Sequence, residues 1–427
     1  MTVDQTDDQT DAQIDAQVAD QPADNHAPTA TARCIAQAEA FGAHNYHPLD
    51  VVLARGEGAF VWDLEGRRYV DLLSAYSAVG QGHCHPRIVA ALVAQAQQLT
   101  LSSRAFHNDR MGDMLEKIAR LSGYAKVLPM NTGAEAVETA IKAMRRWGYE
   151  RRQVPEGAAE IIVAGGNFHG RTTTIVGFSD EPEYSRGFGP STPGFVLVPF
   201  GDAAALRAAI GPHTVGVLLE PIQGEAGVVI PKAGYLTDVR AACDAQGVLL
   251  CFDEIQTGLG RTGAMFAWQH EAARPDLLVL GKALGGGVYP VSCMCADEDV
   301  MRVFTPGSHG STFGGNPLAA AVCIAALDVL VDEDLVARSA SLGERALARL
   351  RREVRGPRIA DVRGRGLMMA VQYHEPIARQ VAQELAKVGL LAKETHGTII
   401  RLMPPLVISQ DVLDGALDAA IPVLARG

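Results

Sequence analysis

A chain of 427 residues that is 48% hydrophobic can bury a large core and is long enough for more than one domain. Its formal net charge is −11; residues 1–32 hold seven acidic residues and no Lys or Arg, so the remainder is only mildly acidic, has no basic stripe and is a poor match for nucleic acid. No apolar run approaches a membrane span, and seven scattered cysteines without a Cys-x-x-Cys spacing point to reduced thiols in a cytoplasm.

Residues 1–32, rich in Asp, Gln, Ala and Thr, cannot bury enough apolar surface to fold and are expected to form a disordered acidic tail. The tail lacks both the arginines of a transit peptide and the apolar core of a secretory signal, which again points to the cytoplasm. From Ala59, the alternation Phe60-Val61-Trp62-Asp63-Leu64-Glu65-Gly66-Arg67-Arg68-Tyr69-Val70 reads as a hairpin turning near Glu65-Gly66. His44, His47 and the run His83-Cys84-His85 have no matching second pair of ligands, so no metal is expected.

Beyond Pro86 the pattern becomes α/β. Helical periodicity covers 86–99, 109–121 and 134–147, and a further helix is expected over 235–246. Strand candidates 161–164, 215–219, 248–252, 277–280 and 291–294 alternate with helices, which predicts a mostly parallel sheet covered on both faces. A helix over 317–331 leads out of this region. A long helix over 335–354, strand segments over 359–372 and 390–402, and a closing helix from Asp411 suggest a smaller α+β domain. The expected organisation is a tail (1–32), an N-terminal segment joining the small domain (33–80), a large domain (81–325) and a small C-terminal domain (326–427).

Two strand candidates end in an ionisable residue: Asp253 after 248–252 and Lys282 after 277–280. Open α/β sheets bind ligands at the carboxyl ends of their strands, so an acid and a lysine there could face one molecule from two sides. Lys282 is one of only seven lysines and is followed by Ala283-Leu284-Gly285-Gly286-Gly287. A lysine in such an apolar, glycine-rich pocket suggests amine chemistry, because desolvation favours the neutral nucleophilic amine. The plainer reading is a lysine that caps a strand. Asp253 weighs against it, since a carboxylate is what pyridoxal phosphate (PLP) needs to keep its ring nitrogen protonated. Between the two, Gly258-Leu-Gly260-Arg-Thr-Gly263 fits a dinucleotide fingerprint, and a nicotinamide-dependent dehydrogenase is therefore the alternative from another class. Five residues separate the strand from the first glycine, and no clean amphipathic helix follows.

Other motifs sit at strand or helix ends. Asn131-Thr132-Gly133-Ala134-Glu135 places a glycine turn at a helix N-terminus, suited to a cofactor phosphate or simply a cap. Ser311-Thr312 is a hydroxyl pair between glycines, also suited to phosphate. Phe168 and Arg171 follow one strand candidate, where a ring can stack on a flat heteroaromatic and a guanidinium can take a carboxylate. Glu220 and Glu225 follow another. Arg401 lies inside an apolar run. Each arginine alone reads as a structural ion-pair partner. The whole set is hard to explain as structure alone.

The chain resembles the class III aminotransferases, PLP enzymes of fold type I, from about Phe41 to its C-terminus. The likeness is carried by Gly42-Ala43-His44-Asn45-Tyr46-His47-Pro48, Ser77-Ala78-Val79-Gly80-Gln81-Gly82-His83-Cys84-His85-Pro86, Val127-Leu128-Pro129-Met130-Asn131-Thr132-Gly133, Glu220-Pro221-Ile222-Gln223-Gly224-Glu225-Ala226-Gly227-Val228-Val229 and Asp253-Glu254-Ile255-Gln256-Thr257-Gly258. Within the family it is most similar to the ornithine-using members. The resemblance implies that Lys282 binds the cofactor and moves the proton, that Asp253 holds the pyridinium, that Phe168 stacks on the ring and that Gln256 bonds the ring hydroxyl. Gly133, Ala134, Ser311 and Thr312 would bind phosphate, Thr312 across the interface of a homodimer or larger assembly. Tyr46, Tyr76, Arg171, Glu225 and Arg401 would bind the substrates, ornithine and 2-oxoglutarate. One departure is His169, which stands where ornithine-using members usually carry Trp; Phe-His-Gly-Arg is common in acetylornithine-using ones. An acetylornithine or other ω-amino-acid aminotransferase is the alternative within the family.

Overall fold

The computed structural model describes residues 29–426, which fall into two compact units, one ending at Val52 and one beginning at Leu53. Most of the expected tail lies outside the described residues. For residues 30–32 the expectation is corrected, because a helix, Ala30–Phe41, begins there. The Thr29 hydroxyl accepts the Ala32 N–H at 3.1 Å, an N-terminal cap that the polar composition of the stretch concealed. The helix has no buried residue, and residues 42–52 carry no helix or strand.

The second unit holds three sheets. A seven-stranded sheet runs in the order Lys126–Met130, Ser292–Ala296, Leu277–Leu280, Leu249–Asp253, Thr214–Leu219, Glu160–Ala164, Phe195–Val198. All are parallel except Ser292–Ala296, which is antiparallel to both neighbours. Side chains alternate between two cores, as period two requires. Ile161, Val163, Leu249, Cys251, Leu277 and Val279 pack on Ala136, Ala140 and Met144 of helix Gly133–Arg151. Ile162, Ala164, Leu250 and Phe252 pack on Leu236, Val239 and Cys243 of helix Tyr235–Gln246. Both faces are covered, so the strands read as continuous apolar runs rather than alternating ones.

A second sheet joins Leu53–Glu57, Phe60–Asp63, Arg68–Asp71 and Leu390–Leu391, the last pair parallel. A third joins Ile359–Arg365, Met368–Tyr373, Ile399–Leu402 and Lys393–Thr395. The expected hairpin is present, with Gly66 at φ 81° in its turn. The segment expected over 359–372 is itself a hairpin, turned at Gly366 with φ 57°. His83 and His85 bond carboxylates, Asp71 at 2.7 Å and Glu333 at 2.9 Å.

The strand candidates of the large sheet appear within two residues of their expected places. Sequence reasoning missed Leu53–Glu57, Lys126–Met130 and Phe195–Val198, all of them edge strands. Pro129 removes a ladder donor from Lys126–Met130, and an edge is where a sheet tolerates that. No helix among the described residues is long and apolar enough to cross a membrane.

Helix Gly133–Arg151 lies on the sheet through a glycine: a Cβ on Gly148 would sit 2.1 Å from Val215 Cγ1 and 2.8 Å from its Cβ. Val215 is fully buried and β-branched, so it has little room to give. Alanine gains about 1 kcal/mol over glycine in a helix interior, but overpacking costs about 1–3 kcal/mol. Gly148→Ala is expected to lower the thermal unfolding midpoint, and the second change Val215→Ala to recover part of the loss.

Candidate active site

The carboxyl ends of the parallel strands converge on one cavity of about 200 Å³, lined by Gly133, Ala134, Phe168, His169, Glu220, Glu225, Asp253, Ile255, Gln256 and Lys282, with Gly170 and Thr257 completing its wall. Each segment arrives for a local reason. Asp253 is the last residue of Leu249–Asp253, and the alternation along that strand directs it to the face covered by helix Gly133–Arg151. Lys282 follows Gly281 at the end of Leu277–Leu280 and is itself left-handed, with φ 46°.

Asp253 is 4% exposed, and its Oδ2 is 2.7 Å from His169 Nδ1, while its Oδ1 accepts the Ile255 N–H at 3.1 Å. Burial pulls the His169 pKa down, but the hydrogen bond and charge of Asp253, with Glu220 behind it, outweigh burial and raise it. Glu220 accepts the Phe168 N–H at 3.0 Å and so ties that ring's backbone to the neighbouring strand end. Burial lowers the Lys282 pKa against the opposing charges of Glu225, Asp253 and Glu220, which favours the neutral amine.

Helix Gly133–Arg151 opens with a capping box: the Thr132 hydroxyl accepts the Glu135 N–H at 3.2 Å, and Glu135 accepts the N–H groups of Thr132 and Asn131 at 2.8 and 3.0 Å. The first-turn N–H groups of Gly133 and Ala134 have no intrahelical acceptor, and both residues line the cavity. A Cβ on Gly133 would stand 2.8 Å from Ile255 Cδ1, so the glycine keeps the helix end close to the Asp253 loop. Ser311 accepts from Asn131 Nδ2 and the Gly314 N–H, each at 2.9 Å. Thr312 is exposed and does not line the cavity.

Glu225 reaches the cavity on a loop closed by the bridge Gln223↔Val229. Ile222 and Val228 of that loop pack with Met368, Ala370, Ile399 and Met403, which brings the loop onto the third sheet. Arg401, in the strand Ile399–Leu402, is 2% exposed and places Nη1 2.8 Å from Glu225 Oε1. Nη1 is thus held by the ion pair, while Nε of Arg401 is buried without a hydrogen-bond acceptor. Although burial alone would raise it, the Glu225 pKa is lowered by Arg401 and Lys282. Gln256 Nε2 donates to Glu225 at 3.4 Å and to the Tyr76 carbonyl at 3.3 Å, and the Arg401 guanidinium lies 5.2 Å from the Tyr76 ring centroid.

The structure thus gathers Gly133, Ala134, Phe168, Glu225, Asp253, Gln256 and Lys282 in one cavity, with Tyr76 and Arg401 against it. Arg171 is exposed and its guanidinium lies over Tyr184, 4.0 Å from the ring centroid, while Tyr184 meets Phe168 edge-on at 5.7 Å. Tyr46 belongs to the N-terminal unit and is 78% exposed. Sequence reasoning missed Tyr184, which has no motif around it. The dinucleotide reading of 258–263 is overturned: Gly258, Leu259, Gly260, Arg261 and Thr262 are buried in protein. No α-helix follows them, and their glycines serve close backbone packing rather than a pyrophosphate.

A lysine, a buried acid and a helix N-terminus at the carboxyl ends of a mostly parallel sheet define a transferase of fold type I. The chain belongs to the class-III aminotransferase family, whose sequence model matches residues 41–424. It is 56% identical over 396 residues to an ornithine aminotransferase of Halalkalibacterium halodurans, covering 93% of this chain and 99% of that one. The crystal structure of ornithine aminotransferase from Toxoplasma gondii superposes with a TM-score of 0.92 at 44% identity, covering 93% of this chain and 96% of that one. The crystal structure of an acetylornithine aminotransferase from Elizabethkingia anophelis superposes with a TM-score of 0.86 at 46% identity, covering 93% and 99%.

Glu220 gives a test of how dry the site is. Burial raises its pKa to about 7, against the lowering effects of His169 and the Phe168 and Gly224 N–H groups and with a further rise from Asp253. An unfolded Glu ionises near 4.5, so between 4.5 and 7 the unfolded state releases its proton first. The stability this group contributes is complete at low pH and is lost as pH climbs to about 7. Glu220→Gln keeps an acceptor for Phe168 but cannot ionise. In denaturant titrations of the unliganded chain it is expected to gain on wild type as pH rises through that window, by about 3 kcal/mol. A difference that stays constant with pH would show that Glu220 does not titrate there.

Proposed function

We propose that this chain is a PLP-dependent aminotransferase that moves the δ-amino group of ornithine to 2-oxoglutarate. The products are glutamate and glutamate 5-semialdehyde, which cyclises to pyrroline-5-carboxylate. The observation that carries the substrate reading is the Glu225–Arg401 pair beside Lys282. Ornithine has no carboxylate next to its reacting δ-carbon, whereas 2-oxoglutarate has one. A bare Arg401 would favour α-carboxylates in both half-reactions. Glu225 masks it for ornithine and releases it to 2-oxoglutarate, whose carboxylate then takes Nη1 together with the unsatisfied Nε of Arg401. Curated relatives named ornithine aminotransferase, 54–56% identical to this chain, support the same reading.

The residues present fit the cofactor. Asp253 offers a buried carboxylate to a ring nitrogen, the first turn at Gly133 and Ala134 offers N–H groups to a phosphate, and Phe168 offers a ring face. When bound, PLP supplies an electron sink for the carbon that loses a proton. Lys282 would hold the cofactor covalently, and its amine, kept neutral by burial, carries the proton to and from the substrate's amino-bearing carbon. Gln256 would bond the ring hydroxyl, Ser311 supports Asn131 at the phosphate end, and Thr312 serves the phosphate of a second subunit in a cytoplasmic homodimer. Arg171 takes the α-carboxylate of ornithine, and Tyr76 accepts from its α-ammonium. The third sheet, the Leu53–Asp71 hairpins and the C-terminal helices act as the small domain.

Four measurements test this reading. The purified chain should be yellow, and borohydride should trap a reduced adduct at Lys282. Lys282→Ala should lose about 10²–10⁴-fold or more of its turnover. Glu225→Ala should gain on α-amino relative to δ-amino donors in half-reactions, by about tenfold or 1.4 kcal/mol; an unchanged preference would remove the switch. Pyrroline-5-carboxylate should form far faster from ornithine than any product forms from N-acetylornithine, because a site built around a charged group discriminates strongly against its loss. Equal or better kcat/KM on N-acetylornithine would assign the chain to that substrate instead.

A further inference from the structure

Four consecutive non-glycine residues, Ser74, Ala75, Tyr76 and Ser77, have φ of 45°, 47°, 58° and 74°. L-residues visit this region singly, because their Cβ crowds the following carbonyl. A whole left-handed turn persists only where its surroundings over-determine it.

They do so here. Asp71 Oδ1 accepts the N–H groups of Leu73 and Ser74, each at 2.8 Å. The Ser74 hydroxyl donates to the Met403 carbonyl at 2.5 Å and accepts from Arg261 Nη2 at 3.2 Å. Arg261 is 2% exposed, and its Nη1 donates to the carbonyls of Leu367 and Pro404 at 2.9 and 2.6 Å. Its hydrogen bonds therefore go to neutral acceptors, and burial lowers its pKa to about 9 against the charge of Asp71. A guanidinium is expensive to bury in this way and implies a task that a neutral side chain would not perform. The loop that carries it is fixed as well: a Cβ on Gly366 would stand 2.4 Å from the Thr262 carbonyl carbon, and the Arg261 carbonyl accepts the Leu367 N–H at 3.1 Å.

The turn carries Tyr76 to the Arg401 guanidinium and turns its carbonyl to Gln256, which also reaches Glu225. A right-handed turn over the same residues would not keep that placement. We propose that Arg261 and Ser74 are positioning residues for substrate selection: together they hold a left-handed turn that fixes Tyr76 against the Arg401–Glu225 pair. This rests on the reading of that pair as the selector between amino donors.

Ser74→Ala removes the hydroxyl where the two contacts meet and leaves Arg261 its two carbonyls, so the chain should still fold. Two effects are expected in the holoenzyme. Amide exchange should quicken at Ser77, Ala78 and Val79, whose N–H groups close the turn onto Leu73, Ala75 and Ser74. The ratio of kcat/KM on ornithine to that on glutamate should fall by about three- to tenfold, the range set by one hydrogen bond. Arg261→Lys, which keeps the charge but cannot span three acceptors, should act in the same direction.

The deciding measurement is a double-mutant cycle with Tyr76→Ala. If Ser74 acts through Tyr76, Ser74→Ala changes neither substrate's kcat/KM further once Tyr76 is gone. Equal effects with and without Tyr76 would overturn the proposal, as would unchanged exchange together with an unchanged ratio. Each corner is read on glutamate as well as ornithine. A chain that used glutamate but not ornithine would defeat the δ-amino reading, while the glutamate arm would still decide the latch.

Discussion

The site depends on giving the Asp253 carboxyl a hydrogen-bond partner where almost no water reaches it. A buried carboxyl left without a partner is costly, so a donor must be built beside it. His169 is that donor, 2.7 Å away and wholly enclosed, and its raised pKa is the other side of the same interaction. The rest of the cavity follows from this pairing. With Glu225 engaged by Arg401 and Glu220 pushed up by burial, the acids facing Lys282 offset its desolvation only in part. Lys282 can then be neutral at a pH where an exposed lysine is charged. His169 thus has a local physical task, independent of which substrate is used.

The parts of the site written on neighbouring residues were legible in the sequence. Asp253 and Lys282 stand at the ends of short apolar runs, and a buried parallel strand puts whatever follows it at the ligand edge of the sheet. The glycine turn opening helix Gly133–Arg151 was legible too, although the capping box between Thr132 and Glu135 that fixes it was not singled out. Edge strands were not, since their patterns are weakest and one contains a proline. Neither was the helix at Ala30, whose cap is a single threonine in a polar stretch.

Other features arise only from contacts distant in sequence. Nothing in Ser74-Ala-Tyr-Ser77 signals a left-handed turn, since it has no glycine or asparagine to favour one. The conformation is imposed by Asp71, Arg261 and Met403, the last two 187 and 329 residues from Ser74. The loop 258–263 failed in the opposite way. Its glycines do mark a close backbone approach, the physical cause behind every glycine-rich fingerprint, but the approaching backbone belongs to Gly366 and Ala340 rather than to a dinucleotide. A glycine spacing reports that something comes near and does not report what.

Solved relatives named for ornithine and for acetylornithine share this fold, so the choice of donor cannot reside in the sheet or in the strand-end residues that perform the chemistry. It must lie in side chains that meet the far end of the substrate. The side chains proposed for that task, Arg171 and Tyr76, are mounted on aromatic and backbone supports. Arg171 sits over Tyr184, 4.0 Å from its ring centroid, and Tyr184 is itself packed edge-on against Phe168, so the guanidinium rests on a ring held by one that faces the cavity. Tyr76 is set by a turn that resists relaxation because four residues would have to change handedness together. Preorganised in this way, the polar groups lose little freedom on engaging a charged substrate end and cannot adapt cheaply to one lacking the charge. On the proposed reading, selectivity between donors follows from rigidity around a common reaction centre, and the strain in Ser74–Ser77 is the structural cost of that rigidity.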